Sequence, residues 1–165
     1  MTLKEMMSLF QYDRWATERT IESLSSLSED DYTKDLKSSF GGIHGTLVHV
    51  YWADCLWLAR WKGNPSWPPT NVDRVPTLDA LSGRWREYRE DLHVYLAGLS
   101  DSILSNPLTY RDTQGNKHSE PLYEQMQHKV NHSTHHRGQI VTMLRQLGQK
   151  PLPTDLINFY RERGS

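Results

Sequence analysis

The sequence has one cysteine, no excess of either charge and no long uninterrupted apolar run. Cys55 stands alone in 165 residues, which excludes an internal disulfide and a cysteine-rich zinc site; we interpret it as a small buried apolar residue. The 19 lysines and arginines balance 20 acidic residues and are interspersed with them, so no nucleic-acid partner is expected. The short apolar runs and the absence of a signal-like N-terminal segment predict a cytoplasmic protein that neither spans nor binds a membrane.

Histidine, in contrast, is concentrated in one segment. His128, His132, His135 and His136 lie close together in HKVNHSTHHRGQI. On a helix of ~100° per residue, His132 and His136 lie about 40° apart on the edge that faces the apolar stripe, whereas His128 and His135 lie on the solvent side. Two imidazoles one turn apart on a helix can bind one metal ion, which makes His132 and His136 candidate ligands.

A second segment offers a third inward histidine. Residues 46–62 are apolar almost all round, so this helix is predicted to be buried on most sides. His49 lies in its first turns and is either a hydrogen-bonded core residue or a ligand; beside the histidine pair, we interpret it as a ligand. Three neutral imidazoles leave a fourth coordination position open, which is typical of a catalytic rather than a structural site.

Hydrophobic periodicity predicts an all-α protein with four long helices, over residues of about 2–27, 43–62, 77–100 and 121–148. A polar connector at 28–42 and the proline-rich GNPSWPP separate the first three. Alternation around a Gln-Gly-Asn turn predicts a short hairpin or loop before the last long helix, and TDLINFYRERG predicts a short C-terminal helix. We expect residues 1–165 to form a single four-helix-bundle domain, in which inward side chains on facing helices build metal sites.

Four motifs resemble the DinB/YfiT-like family of metalloenzymes, which is unrelated to the DNA polymerase that shares part of the name. They are YDRWAT (12–17), GGIHGTLVHVYWAD (41–54), HKVNHSTHHRGQI (128–140) and LRQLGQKP (144–151). The resemblance implies a four-helix bundle whose three-histidine site for a divalent metal maps onto His49, His132 and His136. One departure is Thr17, where many members carry asparagine. Characterised relatives include thiol S-transferases that use bacillithiol or mycothiol, and a maleylpyruvate isomerase.

We interpret the chain as a divalent-metal-binding protein, namely a metal-dependent enzyme that acts on a small molecule in a thiol S-transferase-like or hydrolase-like reaction. A low-molecular-weight thiol is one candidate substrate. The alternative is a non-catalytic metal- or ligand-binding module of a stress response. Imidazole ligands suit zinc, nickel and iron alike, so the sequence does not identify the ion.

Other polar and aromatic residues lie near the predicted ligands. Arg137 and Lys129 are candidates for binding an anionic substrate, with a solvated or ion-paired surface role as the alternative. Tyr12 and Trp15 are candidate pocket walls, with core packing as the alternative. Asp54 is a candidate for orienting an imidazole, with a capping or surface role as the alternative.

A homodimer is also predicted. The family often forms one, and the chain carries six tryptophans. Trp61, at a helix end, and Trp67, in the proline-rich segment, exceed what one small core is expected to cover.

Overall fold

A computed structural model describes residues 1–64, 75 and 77–164 of the chain; Trp67 lies outside these residues. The described part contains seven helices and two strands. In chain order they are α1 (Leu3–Leu24), α2 (Glu29–Thr33), α3 (Ile43–Trp61), α4 (Leu78–Ala97), α5 (Asp101–Ser105), β1 (Pro107–Arg111), β2 (Lys117–Pro121), α6 (Leu122–Gln146) and α7 (Leu156–Arg163).

The four long helices α1, α3, α4 and α6 form a bundle. Helix α1 packs against α4 and α6, and α3 packs against the same two helices. Polar caps mark where the chain enters two of them: the Thr2 hydroxyl accepts from the Glu5 N–H, and the Thr77 hydroxyl accepts from the Ala80 N–H. Each cap satisfies an N–H that has no partner inside the helix. The predicted all-α four-helix bundle is confirmed.

Helix α3 is buried along almost its whole length, as its apolar sequence predicted. Ile43, Leu47 and Val50 are each no more than 2% exposed. Other fully buried side chains come from the three surrounding helices, among them Met6, Leu24, Leu81, Trp85, Met126, Ile140 and Leu144. A helix enclosed in this way can contribute polar side chains to a site inside the bundle, as the burial of Asp54 illustrates.

The hairpin and the C-terminal helix lie where the sequence predicted them. Strands β1 and β2 pair antiparallel, with Pro107 opposite Pro121, immediately before α6. Two short helices were not predicted: α2 lies within the segment expected to be a polar connector, where it buries Tyr32, and α5 lies just before the hairpin.

None of the described helices is both long enough and apolar enough to cross a membrane. Trp61 is only 4% exposed, because it packs within the chain against Phe10 and Tyr95. Trp61 is thus covered by its own chain and gives no support to a subunit interface.

Candidate metal centre

The structure brings together the three histidines that the sequence singled out. His49 projects from α3, and His132 and His136 project from α6. The Nε2 atom of His132 lies 3.1 Å from Nε2 of His49 and 3.1 Å from Nε2 of His136. Three imidazole nitrogens at ~2.0–2.1 Å from one ion lie about 3.0–3.4 Å from one another. These three residues, called the histidine cluster below, therefore have the spacing of a metal site.

Hydrogen bonding between the rings does not account for this convergence. An imidazole nitrogen carries either one proton or one in-plane lone pair. Nε2 of His132 can therefore form only one good hydrogen bond, although it faces two other Nε2 atoms. A single cation at the meeting point would satisfy all three lone pairs together, so the donor set fits a metal ion better than a set of hydrogen bonds.

Burial keeps the histidine cluster in the neutral form that binds metals. Loss of hydration, together with the neighbouring His136, lowers the pKa of His49 to about 4. Loss of hydration, together with the charges of His136 and His49, lowers the pKa of His132 to about 3. The pKa of His136 is lowered as well, mainly by burial. At neutral pH these rings present lone pairs, so an incoming ion displaces few protons.

Gln139 orients one of the rings. Its Oε1 lies 2.8 Å from Nδ1 of His136, so Nδ1–H donates to the amide oxygen and Nε2 is left free for an ion. The amide Nε2 of Gln139 lies 3.2 Å from Nε2 of His135. No role for Gln139 was predicted from the sequence, although its position three residues after a candidate ligand places the two side chains on one face of the helix. Nδ1 of His132, in contrast, is buried without a hydrogen-bond partner among the described residues.

Phe40 covers the ring of His49. The two rings stack with centroids 3.9 Å apart and planes inclined by 15°, and Phe40 meets His136 edge-on at 5.5 Å. The loop that carries Phe40 approaches α3 so closely that a Cβ at Gly45 would lie 2.0 Å from the Phe40 carbonyl oxygen. Only glycine fits there, and the missing side chain allows an apolar ring to border the histidine cluster.

A buried ion network lies behind the histidine cluster, formed by Asp13, Asp54, Lys129 and Arg137. Lys129 is 1% exposed, forms an ion pair with Asp13 and lies 2.8 Å from Asp54 Oδ1. Arg137 Nη1 donates to Asp13 Oδ1 at 2.6 Å. The two cations and two carboxylates balance in charge, which makes their burial tolerable.

The pKa values of the two carboxyl groups move in opposite directions. Burial alone would raise the pKa of Asp13, but Lys129 and Arg137 together hold it below its ordinary value. Burial and the charge of Asp13 raise the pKa of Asp54, although Lys129 opposes the shift. Asp54 also accepts from the Trp85 indole N–H at 3.0 Å. Asp54 is thus neither a surface nor a capping residue. It also does not orient an imidazole among the described residues, because its partners are Lys129, Trp85 and Ser133.

The four candidate substrate-binding residues all have structural partners. Lys129 and Arg137 belong to the ion network. The Tyr12 hydroxyl donates to the Thr154 carbonyl at 3.0 Å, and Trp15 Nε1 donates to Glu162 at 2.9 Å. Both aromatic rings pack on Phe159 of α7. Lys129 and Arg137 are ion-paired, but the surface location given as their alternative is wrong, because both side chains are buried inside the bundle. The packing of Tyr12 and Trp15 agrees with the alternative given for them. The part of all four residues in substrate binding stays a prediction.

Two polar residues of α1, Asp13 and Thr17, make buried contacts that were not predicted from the sequence. Asp13, the shared carboxylate of the ion network, was not predicted, although it lies next to Tyr12 in a motif that resembles the family's. Thr17 accepts from Arg137 at 3.3 Å and donates to the Asp13 carbonyl, so threonine has a polar role at this position. His128 and His135 are exposed and lie outside the histidine cluster.

Comparison with known proteins gives one consistent answer. The model of the DinB family matches residues 1–163. The Protein DinB of Bacillus subtilis (strain 168) is 30% identical over 157 residues, which cover 89% of this chain and 88% of that protein. The crystal structure of a DinB-like protein from Bacillus cereus ATCC 10987 superposes with a TM-score of 0.64 over 92% of this chain and 97% of that one; at 16% identity it shows the shared fold. The chain belongs to the DinB family.

Proposed function

We propose that the histidine cluster holds one divalent metal ion and that the protein is a metal-dependent enzyme acting on a small molecule. The observation that carries this proposal is the convergence of three Nε2 atoms from two facing helices, 3.1 Å apart in the two pairs that share His132. Family membership supports it, because the ligands come from the segments that resemble the family's motifs.

The surrounding residues support catalysis rather than a purely structural role. Three protein ligands leave one coordination position of the ion open. An ion held by them would act as a Lewis acid or lower the pKa of a water or thiol bound at that position. Gln139 fixes the tautomer of His136, and Phe40 excludes water from one side of His49. The reaction class that these features suit is thiol S-transfer or hydrolysis, in a cytoplasmic setting.

Metal analysis tests the first part of the proposal. Protein purified without a histidine tag should contain close to one equivalent of zinc, nickel or iron, measured by mass spectrometry of the metal. His136→Ala should lose the metal, because two imidazoles hold a divalent ion weakly, whereas His135→Ala should retain it. Retention of metal by His136→Ala, or its loss from His135→Ala, would show that the site lies elsewhere.

A reaction screen tests the second part. The loaded protein should transfer low-molecular-weight thiols to electrophiles or hydrolyse small esters or amides, and His136→Ala should do neither. The non-catalytic alternative predicts a loaded protein without turnover, whose ion has no exchangeable water and whose fold collapses on chelation.

The homodimer is part of the same proposal. Since Trp61 is covered within the chain, the prediction depends mainly on the resemblance to the family. Light scattering should give twice the 19.3 kDa mass of one chain, and a mass near 19.3 kDa would contradict the prediction.

A further inference from the structure

A cleft with several basic side chains, called the basic cleft below, lies between the end of α3 and the hairpin. Its volume is about 320 Å³, and it is lined by Arg60, Gly63, Thr109, Tyr110, Arg111 and Lys117. None of these six residues is acidic, so three cations line one small cleft. The basic cleft is distinct from the histidine cluster, because Arg60 follows His49 by eleven residues of the same helix, or about 16 Å along its axis.

Arg60 lies in the basic cleft with its N–H donors unused. Its guanidinium lies 4.8 Å from the Trp57 ring centroid and 5.0 Å from that of Tyr110, and it forms no hydrogen bond or ion pair with another described residue. Unlike Nη2 of Arg89, which is buried without a partner, the Arg60 nitrogens are accessible to solvent. Partial burial lowers the pKa of Arg60, although Tyr110 and Asp112 oppose the shift. A bound anion would replace part of the hydration that this cation has lost.

The hairpin places two like charges opposite each other. Arg111 and Lys117 are partners in the antiparallel register of β1 and β2, and directly opposed like charges destabilise a pair of strands. Arg111 Nη1 donates to the Gly115 carbonyl oxygen at 2.7 Å, whereas the Lys117 ammonium has no partner in the described part of the chain. The pair is unfavourable by itself, and an anion beside both cations would offset their repulsion.

The adjacent acidic residue, Asp112, binds groups of its own turn instead of these cations. Its Oδ1 accepts from two backbone N–H groups of the turn, each at 2.9 Å, and its Oδ2 lies 3.0 Å from Nε2 of His118. Lys62, just after the end of α3, does have a counter-ion, because its Nζ lies 3.3 Å from Asp91 Oδ2. The excess of positive charge is therefore local to the basic cleft.

We propose that the basic cleft binds the dianionic phosphate group of a small phosphate ester. A guanidinium is a planar fork that matches two phosphate oxygens, and Arg60 is already placed over two aromatic rings, so binding costs little side-chain freedom. Arg111 adds a second guanidinium and Lys117 an ammonium, and three positive charges suit a dianion better than a monoanion. The small volume of the cleft and the balanced charge of the whole chain favour a small ligand over a nucleic-acid strand.

NMR titration of the metal-free protein with methyl phosphate and methyl sulfate tests this preference. The two ligands share their shape, but at pH 8 only the phosphate is a dianion, since its second pKa is about 6. Methyl phosphate should bind at least about tenfold more tightly and shift the amide signals of the residues that line the basic cleft. Equal affinity for the two ligands, or shifts spread over the surface without saturation, would overturn the proposal. So would tighter binding of a DNA oligonucleotide at the same signals, which would indicate a nucleic-acid surface.

Two arginine variants test whether the ligand binds in the cleft. Arg60→Gln should weaken methyl phosphate binding by at least about tenfold, because hydrogen bonds between charged groups are lost. Arg145→Gln, the same substitution at an exposed position of α6, should leave the affinity unchanged. Equal affinities for the two variants would place the bound phosphate elsewhere and overturn the proposal.

Lys117→Glu separates binding from folding. The substitution replaces a like-charged cross-strand pair with an oppositely charged one, so the thermal midpoint should rise while methyl phosphate binding is lost. This variant provides the test if Arg60→Gln does not fold. A Lys117→Glu protein that binds methyl phosphate as tightly as the unchanged chain would overturn the proposal.

Discussion

Lys129 shows how strongly one residue can depend on partners that are distant in sequence. Its ammonium is almost fully buried on α6, and its counter-ions Asp13 and Asp54 come from α1 and α3. Despite burial, which alone would lower it, the two carboxylates raise the pKa of Lys129 above its ordinary value. The lysine is therefore charged in the folded bundle, and it holds three helices in one arrangement next to His132.

Removing that charge should destabilise the fold strongly. Lys129→Met leaves two buried carboxylates with only Arg137 to compensate, and breaking a buried ion pair on one side costs about 3–5 kcal/mol. Urea denaturation should show this loss, whereas Lys150→Met, on the exposed surface, should change the free energy of unfolding by less than about 0.5 kcal/mol. Adding Asp54→Asn to Lys129→Met should recover part of the loss; no recovery would show that the charge balance is not the cause.

Gln139 should tune metal affinity without binding the ion. Gln139→Leu removes the acceptor for His136 Nδ1–H, so the ring is free to turn and to change tautomer. Loss of such a supporting contact costs ~10–100-fold in metal affinity, which competition with a chelator would measure. Gln139→Glu keeps an acceptor at the same distance and should retain affinity. Equal affinities for the leucine and glutamate variants would rule out this positioning role.

Among the helices and strands, the spacing of apolar residues predicted each long helix that buries a whole face. The same spacing did not predict the short helices α2 and α5, which bury little of their surface. The long helices and the inward phase of His132 and His136 follow from apolar spacing, and α3 from its apolar character all round. Helices α2 and α5 have five residues each, too short to show a period, and depend on caps from Ser28 and Ser100. The ion network was missed because Asp13 meets its partners only after the helices pack.

The loop before α3 is the element that depends most on glycine. Gly45→Ala would place a Cβ within 2.0 Å of the Phe40 carbonyl oxygen, so the loop must move away from the helix. We expect a loss of about 1–3 kcal/mol in the free energy of unfolding, together with movement of the Phe40 ring off His49, visible as changed histidine proton shifts in NMR spectra.

Gly138→Ala is the matched control for this substitution. Gly138 lies in α6, and beyond the backbone of its own helix no atom lies within 4 Å of the added Cβ, so alanine should stabilise the helix by about 0.5–1 kcal/mol. If Gly45→Ala behaved like Gly138→Ala, close approach of the Phe40 loop would not be required for the fold.

For the whole molecule, the histidine cluster and the bundle core contribute to stability in different ways. The core is built from apolar side chains of all four long helices, so chelation should leave the bundle folded, unlike a small zinc-dependent domain. Bound metal should add stability only in proportion to its concentration relative to its dissociation constant. The metal-free protein is therefore suitable for measuring what the histidines themselves contribute.

The contribution of the histidines to the stability of the metal-free protein should decrease as the pH falls. The pKa values of His49 and His132, about 4 and about 3, lie below the ordinary value of 6.5, so the unfolded chain binds more protons than the folded chain as pH falls below 6.5. The free energy of unfolding of metal-free protein should therefore be greatest above pH 6.5 and decrease as pH falls towards 4. Urea titrations at several pH values should show this slope.

Two variants identify which residues cause this dependence of stability on pH. The double variant His49→Gln/His132→Gln should flatten the slope between pH 6.5 and 4.5, since glutamine does not titrate, while His93→Gln, on the exposed surface of α4, should leave it unchanged. Below this range the lowered pKa of Asp13 adds a further loss, because its protonation breaks the ion network. If the double variant kept the same slope of unfolding free energy against pH, the carboxylates would cause the loss of stability in acid. Burial of the histidine cluster would then cost less free energy than its lowered pKa values imply.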